Sequence, residues 1–344
     1  MDTYPQKILV ILFGAIGDVT RALPLVTRLK RSWPNAQITW AVEPISKSLV
    51  ENHPAIDKIL VFDRPRGFSG YLEFLRKMRS QNFDLTLDLQ RHFKSGVTSL
   101  LSRAPRRVCF HRKNSREFNW IFNTEQVPAA EHFSSKVIQY QAFGDYLGLA
   151  VATPLDFGLQ PTKLARQTAL EILNSAGRSE GDRLVGLLLG STWETRLWPV
   201  EYYQELIQRM HVECQLVPVL IGAKSERVYA AALTATAKVK LINLVEKTSL
   251  GLLPAVFSEM LLAVGSDSGP MHIAAASGIP VVSLWGPTSP ERSQPWGSEQ
   301  WIMQGQADCS PCYLKQCPGL GTICMKSILP EAVSMQVSRI VKHG

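Results

Sequence analysis

The stretch over residues 260–285 limits most strongly what this chain can fold into. Two apolar runs, each long enough for a buried strand, flank a segment of small and polar residues. Within that segment Asp267 is a residue type that caps helices, Pro270 suits a first helical turn, and Gly278 suits the position just past a helix end. The pattern therefore predicts a strand, a helix over 271–277 and a second strand, the repeating unit of a parallel α/β sheet.

The start of the predicted helix also suits an anion. Backbone N–H groups at a helix N-terminus lack intrahelical partners and lie at the positive end of the helix dipole, so they favour a group such as a diphosphate. We expect the N–H groups of Ser268 and Gly269 to bind phosphate, and Asp267, which would repel phosphate, to bind sugar hydroxyls. Helix capping alone explains the same residue types, so the pattern by itself leaves both interpretations open.

Strands and helices alternate along the rest of the chain. The stretch 147–161 is rich in turn residues and marks a domain boundary. We predict an N-terminal domain over 1–160, a second domain over 161–326 and a terminal helix over 327–344. Further strands are predicted at 7–13, 37–42, 58–62, 84–89, 184–189, 215–221 and 240–244.

A glycine turn follows the first predicted strand, at residues 14–18. Its glycines are three apart, unlike the GxGxxG dinucleotide fingerprint, and there is no convincing acidic residue at the end of the next strand to bind a ribose. This argues against a nicotinamide cofactor. Gly17 and Asp18 can be a tight turn and a helix cap. A carboxylate there can also accept a proton from a substrate hydroxyl, and the helix N-terminus would keep it ionised.

Two loops of the second half carry polar side chains after predicted strands. Ser191, Thr192 and Arg196 follow the strand at 184–189, and two hydroxyls with a guanidinium in such a loop suit phosphate binding. The structural alternative is a loop that only leads into a helix at Pro199. Glu226 follows the strand at 215–221 and is either a first-turn helix residue or a ligand of the nucleotide.

Positive charge is confined to one segment. Residues 61–120 contain 13 Lys and Arg against 5 Asp and Glu, whereas the rest of the chain has 24 of each. A solvated surface explains such a cluster, and so does an anionic partner. The second interpretation predicts an acceptor site for a molecule with carboxylates and phosphates. Its expected residues are Gly17, Gln90, Arg91, Lys94, Arg112 and Arg116.

Four cysteines lie close together near the C-terminus. Cys309, Cys312, Cys317 and Cys324 contain one CxxC pair and could hold a structural zinc, although the spacing is not the paired CxxC form. Thiols without a metal are the other interpretation.

Taken in order, these motifs resemble those of glycosyltransferase family 9, the heptosyltransferases. The string Asp267-Ser-Gly-Pro-Met-His272, followed by Trp285-Gly-Pro-Thr288, is similar to the donor-site signature of that family. The resemblance implies a GT-B fold, with two Rossmann-like parallel-sheet domains facing across a cleft and a C-terminal helix packed back on the first domain. It implies an inverting transfer of heptose from ADP-L-glycero-D-manno-heptose to the inner core of lipopolysaccharide, on Kdo-lipid A or on a heptosylated core.

The resemblance also assigns roles to residues. Asp18 would be the general base, and Arg196 would stabilise the departing diphosphate. The sequence departs from the family pattern at Arg196, where a lysine is usual, and at Arg91, where many members have a glycine. The residues expected to bind the donor are Ser191, Thr192, Glu226, Asp267, Ser268, Gly269, Pro270 and His272.

Several expectations concern the surroundings of the protein. No apolar run approaches the roughly 18 residues of a membrane span, so we expect a cytoplasmic protein in transient contact with the inner face of the bacterial inner membrane. We expect no cofactor beyond the donor substrate and no nucleic-acid partner. Two alternatives stay open: a glycosyltransferase with another nucleotide-sugar or acceptor, or a basic nucleic-acid-binding protein with a four-cysteine zinc site.

Overall fold

The computed structural model describes residues 4–131, 134–319 and 321–343. The chain divides into two compact units, Met1–Gly158 and Leu159–Gly344. This division lies close to the boundary that the sequence predicts after residue 160. Among the described residues, no helix combines the length and apolar character needed to cross a membrane.

The first unit contains a parallel sheet of six strands among its described residues, in the order β3-β2-β1-β4-β5-β6. Its central strands are buried along nearly their whole length, as expected for a sheet covered by helices on both faces. The strands are β1 Lys7–Ile11, β2 Gln37–Val42, β3 Lys58–Val61, β4 Leu85–Asp88, β5 Arg106–Cys109 and β6 Glu125–Gln126. The helices are α1 Ile16–Ser32, α2 Pro44–Val50, α3 Gly67–Arg79, α4 Phe93–Ser102 and α5 Lys136–Tyr146.

The second unit repeats this arrangement. Its described residues form a six-stranded sheet in the order β12-β11-β10-β7-β8-β9, again parallel throughout. The strands are β7 Arg183–Leu188, β8 Leu216–Ile221, β9 Ile242–Asn243, β10 Met260–Ser266, β11 Val281–Trp285 and β12 Ile302–Gln304. The helices are α6 Lys163–Ser175, α7 Val200–Cys214, α8 Arg227–Thr236, α9 Leu253–Phe257, α10 Gly269–Ala276, α11 Ile323–Lys326 and α12 Pro330–His343.

The stretch over 260–285 folds as predicted, with one shift. The helix α10 begins at Gly269 rather than at Met271, because Ser268 has the extended backbone of an N-cap residue and Pro270 occupies the first turn. The register of β10 with β11 pairs Val264 with Val282. Both strands are almost fully buried, which explains their continuous apolar runs.

The C-terminal helix contributes to the core of the second unit. Within the second unit α12 packs against α7. The expected packing of the segment 327–344 on the first domain stays a prediction. Val333 and Val337 are fully buried and belong to the second core. Ser334 also donates a hydrogen bond to Glu213 at the end of α7 (2.7 Å). The apolar face of α12 thus packs into the core of the second unit, to which the helix belongs.

Candidate active site

The order of strands locates a crevice in the second sheet. From β7 the chain moves outward through β8 and β9, and then returns to place β10 on the other side of β7. The loops after β7 and β10 therefore diverge at adjacent strand ends, the place where parallel α/β sheets bind ligands. These two loops contain Ser191, Arg196, Asp267 and Ser268, so the structure brings the predicted donor residues together.

Arg196 and Asp267 form an ion pair across this crevice. The guanidinium Nη1 lies 3.0 Å from Oδ2 of Asp267, and both side chains are largely buried, with 16% and 12% of their surface exposed. Ser191 donates a hydrogen bond to the backbone carbonyl of Asp267 (3.2 Å), which ties the two loops together. The guanidinium also stacks 3.9 Å from the ring centre of Trp193, a residue that the sequence reasoning did not select. Arg196 is thus held in place by a carboxylate and an indole.

The first turn of α10 lies where the sequence predicts an anion site. Gly269 and Pro270 form its first positions, and Ser268 caps it with no side-chain capping bond. Among the described residues, the buried hydroxyl of Ser268 has no hydrogen-bond partner. A buried hydroxyl without a partner at a helix N-terminus is suited to an oxyanion. His272 is buried in the same helix, with Nε2 3.7 Å from Oδ1 of Asp267.

Glu226 lies at the same edge of the sheet. Its Oε2 accepts a hydrogen bond from the backbone N–H of Ala223 (2.7 Å). A Cβ atom added to Gly190 would lie 2.7 Å from the carboxyl carbon of Glu226, so the carboxyl group lies over the glycine that begins the Ser191 loop. Thr192 is exposed in this loop. The structure therefore places Glu226 beside the loop after β7, where a carboxylate could receive hydroxyl groups of a ribose.

The first sheet has an equivalent crevice between β1 and β4. The chain moves outward from β1 through β2 and β3 and returns at β4, and Ile11 pairs with Asp88 at the strand ends. The side chain of Gln90 accepts a hydrogen bond from the backbone N–H of Phe13 (2.8 Å), which links the two loops. Gln90 therefore helps to hold the crevice in shape. Gly17 is buried in the first turn of α1.

Asp18 is bound by two cations in this crevice. Lys136, at the start of α5, lies 2.7 Å from Oδ1 of Asp18, and Arg21, one turn along α1, lies 2.8 Å from the same oxygen. The Asp18 side chain is 22% exposed, so solvent still reaches it. Burial raises the pKa of Asp18, but the charges and hydrogen bonds of Lys136 and Arg21 outweigh it and hold that pKa well below its usual range. The carboxylate is therefore ionised at neutral pH.

The surroundings of this cluster were not predicted. Tyr140, on α5, is buried, and its pKa is raised by burial and by the adjacent Asp18 carboxylate. The Lys136 ammonium lies in a buried position that lowers its pKa, an effect that Asp18 opposes. Arg21 stands three residues after Asp18, the only sequence signal among these partners, since side chains at that spacing share a helix face.

The basic residues of the acceptor prediction fall into two groups. Arg91 packs inward: its guanidinium lies 3.6 Å from the ring centre of Phe110 and donates to the side chain of Gln139 on α5. Lys94 lies 3.9 Å from the ring centre of Phe62. Arg112 and Arg116 are exposed. The positive surface predicted from the sequence thus includes cations that are held by aromatic rings and cations that face solvent.

Asp88, which the sequence reasoning did not select, is fully buried at the end of β4. Its Oδ2 accepts a hydrogen bond from the side chain of Asn119 (2.6 Å), and its Oδ1 accepts one from the backbone of Gln90 (3.1 Å). Burial raises its pKa to about 6, against the effect of these hydrogen bonds. Asp88 stabilises the loop that carries Gln90 and Arg91.

The four cysteines near the C-terminus lie together in the structure. All of them line one small cavity, together with Thr195, Leu314 and others. Cys324 is buried, Cys309 is exposed, and Cys312 and Cys317 are partly buried. Within the described ranges, no three His, Cys, Asp or Glu side chains form a group that could hold a metal ion. The structural zinc stays a prediction.

The chain is similar to known glycosyltransferases in sequence and in fold. The family model described as glycosyltransferase family 9 (heptosyltransferase) matches residues 71–322. The lipopolysaccharide core heptosyltransferase OpsX of Haemophilus influenzae is 27% identical over 306 residues, which cover 86% of this chain and 83% of that protein. The crystal structure of a family 9 glycosyl transferase from Veillonella parvula superposes with a TM-score of 0.83 at 21% identity, covering 98% of both chains. The E. coli heptosyltransferase WaaC with ADP-2-deoxy-2-fluoro heptose superposes with a TM-score of 0.75 at 20% identity, covering 97% of this chain and 99% of that one.

The two parallel six-stranded sheets and the likeness to these structures define the GT-B fold, so the expected fold is confirmed. Because the family model covers most of the chain, a closer assignment follows. This chain belongs to glycosyltransferase family 9, the heptosyltransferase family of lipopolysaccharide core synthesis.

Proposed function

We propose that this enzyme transfers heptose from ADP-L-glycero-D-manno-heptose to the inner core of lipopolysaccharide, with inversion at the anomeric carbon. The observation that carries the proposal is that Arg196 pairs with Asp267 directly before the first turn of α10, which places a guanidinium beside a helix N-terminus. A relative of the same fold was crystallised with an ADP-heptose analogue. A nucleoside diphosphate has the charge that such a site attracts.

In this proposal the second unit binds the donor. The N–H groups of Ser268 and Gly269, the hydroxyls of Ser191 and Thr192, and Arg196 would hold the diphosphate. The carboxylates of Glu226 and Asp267 would bind ribose and sugar hydroxyls, since they would repel phosphate. Pro270 fixes the first turn of α10, and His272 lies beside Asp267. These fixed cationic and dipolar groups would stabilise the charge on the leaving ADP.

Asp18 would be the general base of the transfer. It takes the proton of the acceptor hydroxyl as the acceptor oxygen bonds to the anomeric carbon of heptose. The bond from that carbon to the diphosphate oxygen breaks, and its electron pair leaves with ADP. Attack from the face opposite to the leaving group inverts the configuration. The position of Asp18 at the strand end of the first unit, partly open to solvent, supports this role.

The first unit would bind the acceptor. The exposed Arg112 and Arg116 and the ring-stacked Arg91 and Lys94 supply positive charge that suits the carboxylates and phosphates of Kdo-lipid A. The acceptor lipid lies in a membrane, so we propose a transient contact with the inner membrane surface.

Titration calorimetry with ADP, UDP and GDP tests the donor assignment. We expect selective binding of ADP, and a loss of roughly 10- to 100-fold in affinity for Arg196→Ala, because a charge-assisted contact with phosphate is removed. Arg209→Ala is the matched control, since Arg209 pairs with Glu205 on the surface of α7 (2.8 Å). Equal binding of all three nucleotides, or none by the folded protein, would contradict the proposal.

The alternative within the class is another nucleotide-sugar or another acceptor. It is favoured by Arg196, where the family pattern has a lysine, since a planar guanidinium binds phosphate in a different geometry. Preference for UDP or GDP in the same titration would establish it. The alternative of a nucleic-acid-binding protein with a four-cysteine zinc site loses its support, because the chain belongs to an enzyme family.

A further inference from the structure

The proposed base is occupied in the structure by cations of the protein itself. Oδ1 of Asp18 receives both Lys136, at 2.7 Å, and Arg21, at 2.8 Å. A carboxylate whose oxygen already accepts two charge-assisted hydrogen bonds binds a proton weakly. In this arrangement Asp18 is a poor acceptor for the proton of a hydroxyl group.

The two cations differ in how they are held. Arg21 lies on the same helix as Asp18 and its side chain is 8% exposed. Lys136 comes from α5, and its side chain is 26% exposed. Because a lysine ammonium lies on a flexible four-carbon stem, Lys136 can reach a new partner without a backbone movement. Arg21 has less freedom to do so.

The neighbourhood carries more positive than negative charge. The side chains that act on Asp18 and Lys136 are Arg21 from α1, Tyr140 from α5 and Arg91 from the loop after β4. Arg91 contacts Gln139, which lies between Lys136 and Tyr140 in α5. Lys136 and Arg21 contact Asp18, and Arg91 acts on Lys136, so three cations accompany one carboxylate among these named groups. An additional anion is electrostatically favoured beside them.

We propose that Lys136 holds Asp18 only while the acceptor is absent, and that an acidic group of the acceptor draws the ammonium away and frees the carboxylate to act as base. This inference rests on the proposed function, because it requires Asp18 to be the base of the transfer. It makes Lys136 a positioning residue that also binds the acceptor.

The pairing of Lys136 with Asp18 has a chemical consequence for the donor. A free carboxylate beside a bound nucleotide-sugar would activate water as readily as an acceptor hydroxyl, and the donor would be hydrolysed. While Lys136 is paired with Asp18, Asp18 is a weak base, and it stays weak until an anionic acceptor binds. The ion pair thus links the basicity of Asp18 to the presence of the correct second substrate.

The test is release of ADP from ADP-heptose by Lys136→Met, measured with and without a Kdo-lipid A acceptor. We expect acceptor-free hydrolysis to rise by roughly tenfold over the wild type, the change in basicity that one pKa unit represents. The KM for the acceptor should rise, and the acid limb of the pH–rate profile should move to higher pH, since one of the two cations that lower the pKa of Asp18 is gone. Lys136→Arg should restore the low hydrolysis rate.

The matched control is Lys240→Met, because Lys240 forms an equally short pair with Asp182 in the second unit (2.6 Å). It should leave hydrolysis and the pH profile unchanged. Hydrolysis and transfer that fall together in Lys136→Met, with an unchanged acceptor KM and pH limb, would overturn the inference. If Lys136→Met does not fold, Lys136→Gln replaces it and the same outcomes decide. Failure of the wild type to release ADP even with acceptor present would instead refute the proposed function, and the inference with it.

Discussion

The pair of Arg196 and Asp267 leads to a prediction about nucleotide affinity. In the structure the guanidinium that we assign to the diphosphate is bound to a carboxylate at 3.0 Å. ADP must therefore compete with Asp267 for Arg196. The substitution Asp267→Asn removes the competing charge and keeps the size of the side chain, so we expect ADP to bind more tightly.

The size of the effect follows from the geometry. Two unit charges 3.0 Å apart attract by about 5 kcal/mol at an effective dielectric constant of roughly 20. The cost of removing both groups from water offsets much of this, and a hydrogen bond to a charged group contributes about 1.5–3 kcal/mol net. Taking the lower end, we expect ADP affinity to rise by roughly tenfold.

The assay is titration calorimetry of ADP with the wild type and Asp267→Asn, at low and at high salt. The gain should shrink at high salt, because the crevice is partly open to solvent and its charges are screened. Turnover of ADP-heptose should fall in the same variant, since Asp267 is assigned to sugar hydroxyls.

Asp182→Asn is the control, as its carboxylate pairs with Lys240 in the same unit. Unchanged or weaker ADP binding by a folded Asp267→Asn variant would refute the competition. The carboxylate would then position Arg196 for the phosphate or contact the nucleotide itself.

Three further predictions concern the metal, the base and the buried carboxyl group. Transfer should persist in excess EDTA, because Arg196 and α10 supply the positive charge; loss of activity that Mg²⁺ restores would contradict this. Asp18→Asn should lower kcat by about 10²- to 10⁴-fold, with ADP affinity by calorimetry unchanged. A loss of ADP affinity as large as the loss of kcat would show that Asp18 acts on nucleotide binding and not on proton transfer. For Asp88, burial raises the pKa from 3.8 to about 6, so the native state binds the proton more tightly and stability falls as pH rises from about 4 through 6. Asp88→Asn should lack this loss, which amounts to about 2 kcal/mol in the free energy of unfolding between pH 4.5 and 7.5, measured by urea titrations at those two pH values. The exposed Asp84→Asn should retain it, and parallel curves for all three proteins would contradict the assignment.

The sequence was most informative where local pattern determines structure. Apolar runs and capping residues predicted the two sheets and the first turn of α10, because burial and helix capping act over a few residues. Parallel strands place their carboxyl ends at one edge, so Ser191, Arg196 and Asp267 could be grouped before their positions were known.

Contacts between residues far apart in sequence were harder to predict. Lys136 is 118 residues from Asp18, and its position at the start of α5 has no distinguishing sequence pattern. The orientation of the Arg91 side chain was also not predictable, because it stacks on Phe110, which follows β5, whereas Arg91 follows β4. The packing of the terminal helix against α7 was hard to predict for a similar reason: an amphipathic pattern shows that one face is covered, without showing by what.

The packing of the C-terminal segment limits how recombinant enzymes can be assembled from segments of different family members. The indole of Trp198, two residues after Arg196, donates a hydrogen bond to the backbone carbonyl of Ile328 (2.9 Å), and Trp198 is almost fully buried. The loop that carries Arg196 is therefore anchored to a segment more than a hundred residues further along the chain. A recombinant enzyme that takes its donor-binding unit from one relative must take the tail from the same relative, since a foreign tail would leave the Trp198 anchor mismatched.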